Sequence, residues 1–216
     1  MNHFEYASKK MLSPAKNDLI ELIKETQNIL RTDFTFQFRF VGSTEHNRVT
    51  YDPKTNVGFD FDVNLELNNN SSCFSPKVIR NNFYKALSKL IHNYGYNCVE
   101  NLTRVIRIKC VDKKKSKVLY SCDFAIVNSY EDEDGHDRQE YIRYNKKRSD
   151  CTWEEQSEGY HILPQKEQWI KDNQHQNDLR QLYLRKKNQS NDPNKHSRSL
   201  YAEAVHEICQ KYGYYD

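Results

Sequence analysis

The sequence contains no long apolar run. No stretch of its 216 residues approaches the roughly 18 apolar residues that a membrane-spanning helix needs. The N-terminal residues MNHFEYASKK also lack the apolar core of a secretion signal. We therefore expect the chain to have no membrane partner and to reside in a reducing, cytoplasmic compartment.

Two common indications of function are also missing: metal-binding spacing of cysteines and a strongly basic net charge. The six cysteines form no CxxC pair, and no cysteine–histidine cluster has zinc-finger spacing. The formal net charge of +3, from 33 basic and 30 acidic side chains, is too balanced to indicate nucleic-acid binding. Charges gather instead in runs at 113–117, 131–137 and 146–148, which are typical of solvated loops, although a basic run would also suit phosphate contact.

Aromatic residues, in contrast, are plentiful, with 15 tyrosines and 10 phenylalanines. Such bulk argues against disorder, and the length allows one sizeable domain with a small helical lobe. Apolar residues at helical spacing predict helices over 17–31, 76–94, 166–188 and 197–212. Alternating apolar and polar residues predict strands over 34–41, 59–67, 97–111 and 118–127, the last two as a hairpin.

Turn and capping residues set the expected boundaries of these elements. Pro14 marks the start of the first helix, Ser75 caps the second, and Gly95 ends it. Residues 44–58 have the composition of a loop. The chain after residue 128 is irregular and highly charged in its pattern, so we expect no regular element there before the third helix.

Two aspartates share the polar face of the second predicted strand. Asp60 and Asp62 lie two residues apart, and a strand places such residues on the same side. Two carboxylates on one face repel each other, so a cation is the natural reason to place them together. Asp123 lies between Cys122 and Phe124 in an apolar run, where an acid is costly unless it is paired or bound to a metal.

Gly42 and Ser43 follow the first predicted strand. A strand that ends in this pair exposes backbone N–H groups and a hydroxyl to a phosphate. Glycine suits the position because a phosphate must approach the backbone closely. The ordered combination of this pair with the three aspartates is more specific than any one of its parts.

The residues VGS at 41–43, DFDV at 60–63 and CDFAIV at 122–127 resemble the motifs of the DNA polymerase β-like nucleotidyltransferase superfamily, over roughly residues 15–130. The resemblance implies an α/β (α+β) fold, with a mixed, mainly antiparallel sheet flanked by helices and a small C-terminal helical portion. It also implies that the three aspartates are catalytic and hold Mg²⁺ (or Mn²⁺). The Gly-Ser pair would bind a nucleoside triphosphate such as ATP.

A second resemblance concerns the C-terminal part. GYHILP at 159–164 is similar to a segment of the bacterial cyclic-oligonucleotide synthases, relatives of cyclic GMP-AMP synthase and oligoadenylate synthase. The last two predicted helices resemble the helix pair with which that clade holds the triphosphate. This resemblance implies that Lys187 (or Lys186) and Ser199 bind the triphosphate of the substrate.

The expected domain division follows a change of composition near residue 165. Residues 1–164 would form the nucleotidyltransferase core, and residues 165–216 a helical portion that packs on it. The Asn-Asp-Pro-Asn sequence at 191–194 predicts a turn between the last two helices.

Together these features predict a two-metal enzyme that moves a nucleoside monophosphate from a nucleoside triphosphate to a hydroxyl acceptor and releases pyrophosphate. The acceptor stays open. Another nucleotide would give a linear or cyclic second messenger, as in antiviral defence, and RNA, a protein side chain or a small molecule are the other choices. The alternative is a catalytically silent module of the same fold that binds RNA or a protein partner. A nuclease is disfavoured because it leaves the Gly-Ser pair without a role.

Overall fold

The computed structural model describes residues 2–45, 48–55, 57–68, 73–156, 159–190 and 197–214, without the side chains of 159–162 and 198. The helices are α1 (Lys9–Leu30), α2 (Pro76–Leu90, continued by a 3₁₀ turn at Ile91–Tyr94), α3 (Gly159–Asp172), α4 (Gln176–Gln189) and α5 (Ser197–Tyr212). The strands are β1 (Glu5–Tyr6), β2 (Phe36–Val41), β3 (Thr50–Tyr51), β4 (Phe59–Leu67), β5 (Cys98–Asn101), β6 (Ile106–Asp112), β7 (Lys117–Glu131), β8 (Asp137–Asn145) and β9 (Asp150–Glu155).

A mixed sheet forms the centre of the fold, in the order β2-β4-β7-β6-β5, and β8 and β9 extend it from the far end of β7. β4 and β7 run parallel, whereas the other pairs of this sheet are antiparallel. The mixed, mainly antiparallel sheet flanked by helices is therefore confirmed. β1 and β3 form a separate two-stranded antiparallel sheet.

The main core lies where α1 and α2 pack on the sheet. The alternate residues of β4 that begin with Phe59 point into this core, and the rings of Phe36 and Phe83 meet with centroids 4.8 Å apart. Burial of a side chain of this kind contributes roughly 1.5–3 kcal/mol. The remaining residues of β4 point to the opposite face of the sheet, which carries Asp60 and Asp62.

Helix α1 begins before the predicted start at residue 17. Ser8 caps it, and the Ser8 hydroxyl accepts a hydrogen bond from the Met11 N–H at 3.3 Å. Pro14 therefore lies inside the helix, and the prediction that it starts the helix is wrong. A proline there removes one backbone hydrogen bond, a loss that the buried apolar stripe of α1 offsets by packing on the core.

Helix α2 has the predicted boundaries. The Ser75 hydroxyl accepts a hydrogen bond from the Val78 N–H at 3.4 Å. At the other end Gly95 adopts the left-handed conformation, with φ at 76°, which ends the 3₁₀ turn that follows the helix. The capping residues Ser75 and Gly95 therefore predict both ends of this element correctly.

The chain after residue 128 is regular, so the prediction of irregular structure is wrong. β7 continues to Glu131, and β8 and β9 follow, with Ile142 fully buried. The acidic run marks the turn between β7 and β8: the Asp132 carboxylate accepts hydrogen bonds from two backbone N–H groups, including that of His136 at 2.9 Å. Charged residues are frequent in β8 and β9 and few of their residues are buried, so the residue pattern did not indicate strands.

Two predicted elements are each divided. The run 97–111 forms β5 and β6, joined by a turn at 102–105 whose ends are hydrogen-bonded at 3.0 Å. The predicted helix over 166–188 is two helices, because the backbone reverses near Gln174, with φ at 61°, and α3 begins already at residue 159. The turn predicted at 191–194 lies outside the described residues.

Helices α3, α4 and α5 build a second core, in which Leu179, Tyr183 and Val205 are buried and against which Tyr6 of β1 packs. None of the helices in the described parts of the chain is long and apolar enough to cross a membrane. The division into a core over 1–164 and a helical portion over 165–216 stays a prediction.

Candidate active site

Three aspartates lie on one face of the sheet. The parallel pairing of β4 and β7 places Asp62 opposite Asp123 and Asp60 opposite Ser121. Residues that are paired in this way point to the same side of a sheet, and residues two apart on one strand do so as well. The fold therefore brings together two chain segments whose acids are far apart in sequence.

Asp60 and Asp62 form the open part of this face. Asp60 is exposed and Asp62 is half-buried. The Ser121 hydroxyl donates a hydrogen bond to Asp60 Oδ1. The Asp62 N–H donates to Thr44 Oγ1 at 3.3 Å, which ties the strand to the turn after β2. Sequence analysis missed Ser121 and Thr44, although the position of Ser121 two residues before Asp123 was a signal for the same face.

Asp123 differs from the other two acids because it is bound by an arginine. The antiparallel pairing of β6 and β7 sets Arg107 opposite Asp123. The Arg107 Nε and Nη2 groups donate to Asp123 Oδ1 and Oδ2 at 2.6 and 2.7 Å, a bidentate ion pair. The Asp123 side chain is 19% exposed. The pairing predicted for a buried acid is thus present, but its partner is a residue that the sequence did not single out.

The ion pair keeps both groups charged. The hydrogen bonds that Arg107 donates to Asp123 raise the pKa of its guanidinium group. Burial raises the pKa of Asp123, and the contact with Arg107 opposes that shift. The charge on the Asp123 carboxylate therefore depends on Arg107.

The Gly-Ser turn lies beside the open aspartates. Gly42 adopts the left-handed conformation, with φ at 61°, and a Cβ atom built on it would lie 3.5 Å from Asp62 Oδ2. The Ser43 carbonyl accepts a hydrogen bond from the Arg48 N–H at 2.7 Å, which closes the turn. A group bound at this backbone would consequently contact the Asp62 carboxylate.

Lys187 of α4 interacts electrostatically with two of these aspartates. Its Nζ donates to Thr50 Oγ1 at 2.7 Å and lies 4.3 Å from the ring centroid of Phe4. Burial lowers the pKa of Lys187 to about 8, and attraction by Asp60 and Asp62 opposes that shift. This lysine is thus a cation held within reach of the field of both aspartates.

The other two phosphate-binding candidates are placed differently. Lys186 points to α5, where its Nζ contacts Glu207 and lies 3.7 Å from Glu203. Ser199 is half-buried in the first turn of α5, and none of the described contacts links it to Lys187. Of these candidates, Lys187 is the one for which the described residues show an electrostatic interaction with the aspartates.

The donor set fits a divalent cation in part. Asp60 and Asp62 offer carboxylate oxygens on an open face, which suits Mg²⁺ or Mn²⁺. Arg107 donates to both oxygens of Asp123, and each oxygen keeps a second lone pair, so the role of Asp123 as a metal ligand stays a prediction. Among the described residues, one group of three acids, cysteines or histidines has all its ligand atoms within 4.8 Å of one another, and it consists of Asp132, Asp134 and His136 in the exposed turn between β7 and β8.

Solved structures that share this fold include three cyclic dinucleotide synthases. A STING-associated CdnE c-di-GMP synthase from Capnocytophaga granulosa matches 98% of this chain and 64% of its own, at 17% identity and a TM-score of 0.61. The cyclic AMP-GMP synthase DncV of Vibrio cholerae, in complex with a linear intermediate, matches 89% and 52%, at 16% identity and 0.55. A CdnE cyclic dinucleotide synthase of Elizabethkingia meningoseptica with GTP and Apcpp matches 93% and 75%, at 11% identity and 0.50.

The match to the first two structures spans 64% and 52% of their length. No protein-family model and no curated protein matches the sequence. The likeness is therefore one of fold, and it agrees with the VGS, DFDV and CDFAIV motifs. The chain has the nucleotidyltransferase fold that is found in the cyclic dinucleotide synthases.

Proposed function

We propose that the protein is a nucleotidyltransferase, which moves a nucleoside monophosphate from a nucleoside triphosphate to a hydroxyl group and releases pyrophosphate. One observation carries the proposal. The backbone of Gly42 and the carboxylates of Asp60 and Asp62 lie together, and the ammonium group of Lys187 interacts electrostatically with both aspartates, so three separate parts of the chain supply these groups. Donors for phosphate and ligands for a cation are what this reaction needs in one place.

Each group has a role in the proposed reaction. The N–H groups of the turn at Gly42 and Ser43 hold the phosphates, and Lys187 neutralises part of their charge. Asp60 and Asp62 hold Mg²⁺ or Mn²⁺, which when bound lowers the pKa of the attacking hydroxyl and stabilises the leaving pyrophosphate. Orientation and charge neutralisation supply most of the rate enhancement.

We further propose another nucleotide as the acceptor, with a dinucleotide second messenger of antiviral defence as the product. The support is the fold likeness: the DncV structure contains a linear intermediate, and the Elizabethkingia synthase contains GTP and Apcpp. Because this chain covers little more than half of DncV, the choice of acceptor rests on experiment.

The direct test is incubation of the purified protein with each labelled nucleoside triphosphate and Mg²⁺ or Mn²⁺, with and without RNA, and separation of the products by size. Asp60→Ala/Asp62→Ala should lower incorporation on the order of 10³-fold or more, because metal ligation contributes several kcal/mol to the transition state. Glu66→Ala, half-buried on the same face of β4, is the matched control and should stay active. Incorporation that survives the double substitution would exclude the mechanism.

The second candidate function is a catalytically silent module of the same fold. The ion pair between Arg107 and Asp123 supports it, because a carboxylate whose charge is balanced by an arginine attracts a cation less strongly. This candidate predicts no incorporation from any triphosphate and no Mn²⁺ binding at the aspartates, while an RNA or protein partner still binds.

A further inference from the structure

Residues 2–7, which we call the strap, are bonded along one edge to the segment that leads from the Gly-Ser turn to β4. β1 pairs with β3, so Tyr6 lies opposite Thr50. The His3 N–H donates to Asp52 Oδ2 at 2.9 Å. Asp52 is buried, so this hydrogen bond joins the strap to an interior residue of the protein. The strap thereby fixes residues that would otherwise form a long loop.

The other edge of the strap is bonded to α4. The side-chain amide of Asn188 accepts from the Phe4 N–H at 2.6 Å and donates to the Phe4 carbonyl at 3.1 Å, as a neighbouring strand would do. The Asn2 amide donates to the carbonyls of Lys187 and Ser190 at 3.2 and 3.0 Å. These bonds satisfy carbonyls at the end of α4 that have no partner within the helix.

Lys187 lies where the two edges meet. Its backbone carbonyl is held by Asn2, its Nζ is held by Thr50, and the Phe4 ring lies against its charged end. An ammonium group at 4.3 Å from a ring centroid is within the range of a cation–π interaction. These contacts come from the strap and from the strand that the strap pairs with, and Tyr183 of α4 adds a ring whose centroid is 5.8 Å from Nζ.

We infer that the strap joins the helical portion to the segment that leads to β4, and that Phe4 and Asn188 are positioning residues that hold the Lys187 ammonium group in a fixed place, ready for a triphosphate. The phosphate-binding part of this inference rests on the proposed function. A free lysine side chain has about 2 kcal/mol of rotamer entropy to lose on binding, and a lysine that is already ordered loses less. Preorganisation of this kind raises affinity without adding a contact to the ligand.

The first measurement concerns Lys187 itself and needs no substrate. Lysines are reductively methylated with ¹³C, and the Lys187 signal is assigned by its loss in Lys187→Arg. In the wild type the pKa of this lysine should be about 8. In Phe4→Leu/Asn188→Ala it should move towards the ordinary value of about 10.4, because the side chain becomes solvated. An unchanged pKa in that variant would overturn the inference.

The second measurement concerns the triphosphate. The Kd of a non-hydrolysable triphosphate analogue should rise about tenfold in Phe4→Leu/Asn188→Ala, as expected when a charged hydrogen bond is lost. Adding Lys187→Met to this variant should produce no further loss, since the strap acts through the lysine. Additive losses would contradict the inference. Phe4→Tyr keeps the ring and should restore the wild-type Kd.

A control separates positioning from general stability. Tyr214 lies under Lys166, 5.6 Å from ring centroid to Nζ, in the same second core. Tyr214→Leu should lower the melting temperature as Phe4→Leu does and leave the Lys187 pKa and the Kd unchanged. If the pKa responds to the strap but Lys187→Met does not change the Kd, the strap still holds the lysine, and the phosphate-binding role under the proposed function fails.

Discussion

The aspartate face has two halves that differ in charge. On β4, Asp60 is exposed and Asp62 is half-buried, and the turn at Gly42, whose φ is positive, lies beside Asp62. On β7, Asp123 is 19% exposed and forms an ion pair with Arg107 that has no net charge. The same residue type on neighbouring strands thus serves two ends: the first half is available to a ligand, and the second contributes to the stability of the sheet. Position on a strand face alone does not tell the two apart.

We call the β4 half, with Asp60 and Asp62, the open half, and the β7 half, with Asp123 and Arg107, the closed half. The largest expected effect is on the free energy of unfolding and comes from the closed half. Arg107→Ala leaves the half-buried Asp123 carboxylate without its partner, which costs about 2 kcal/mol, less than the roughly 3–5 kcal/mol of a fully buried pair because the two side chains are 32% and 19% exposed. Urea unfolding measures this. Asp62→Ala, on the open half, should change the free energy of unfolding by less than about 0.5 kcal/mol. Equal losses in both variants would remove the distinction between the halves.

The next effect is on metal affinity. Arg107→Gln frees the Asp123 oxygens while keeping a polar side chain of similar length, so a third carboxylate faces the two on β4. Affinity for Mn²⁺, measured by titration with paramagnetic relaxation, should rise about tenfold, as a cation site gains from another charged ligand. Asp60→Asn/Asp62→Asn should abolish binding with or without Arg107. A decrease in Arg107→Gln would show that the ion pair supports the site.

A smaller effect is expected at the turn of the open half. Gly42→Ala places a Cβ where φ is 61°, a conformation that costs an L-residue about 1 kcal/mol. The space itself is sufficient, since the nearest atom, Asp62 Oδ2, would be 3.5 Å away. The Kd of the triphosphate analogue should therefore rise by roughly fivefold through a shift of the turn. Gly135→Ala, which shares the positive φ at an exposed turn, is the matched control.

The smallest effect is the dependence of affinity on pH. Lys187 carries its charge below its pKa of about 8 and loses it above that value. Binding of the triphosphate should accordingly weaken by a few-fold between pH 7 and pH 9. Lys187→Arg stays charged and should give a flat profile, as calorimetric titrations at each pH would show. The same slope in both proteins would assign it to another group.

Much of the open half could be predicted from the sequence. Strand periodicity places Asp60 and Asp62 on one face, and the glycine before Ser43 marks the turn that the structure sets beside Asp62. These features are local, because each depends on a few consecutive residues. The two strands after residue 128 were missed since charged residues dominate their exposed faces.

The closed half depends on pairing between strands, which the sequence does not show. If the pairing at the β6–β7 turn continued without interruption, Arg107 would lie opposite Cys122. A bulge after Cys110 shifts the register by one residue and brings Arg107 opposite Asp123. Neither the bulge nor the ion pair has a signature in the residue pattern.

The choice between Lys186 and Lys187 is also decided by packing. Adjacent residues on a helix point about 100° apart, so only one of them can face the sheet. Lys186 contacts two glutamates of α5, whereas Lys187 contacts the strap and Thr50. The residue pattern gives no indication of the strap, because its hydrogen bonds join residues that are far apart in the sequence.

The ion pair on β7 also bears on the order in which the sheet assembles. The β6–β7 hairpin closes a short turn, whereas the parallel pairing of β4 with β7 must wait for the intervening helix and strands. When β4 docks, its two negative charges therefore meet a carboxylate that Arg107 has already neutralised. Without Arg107 the docking step would meet three like charges, and we expect refolding to slow in Arg107→Ala and to recover in high salt, a difference that stopped-flow fluorescence can resolve.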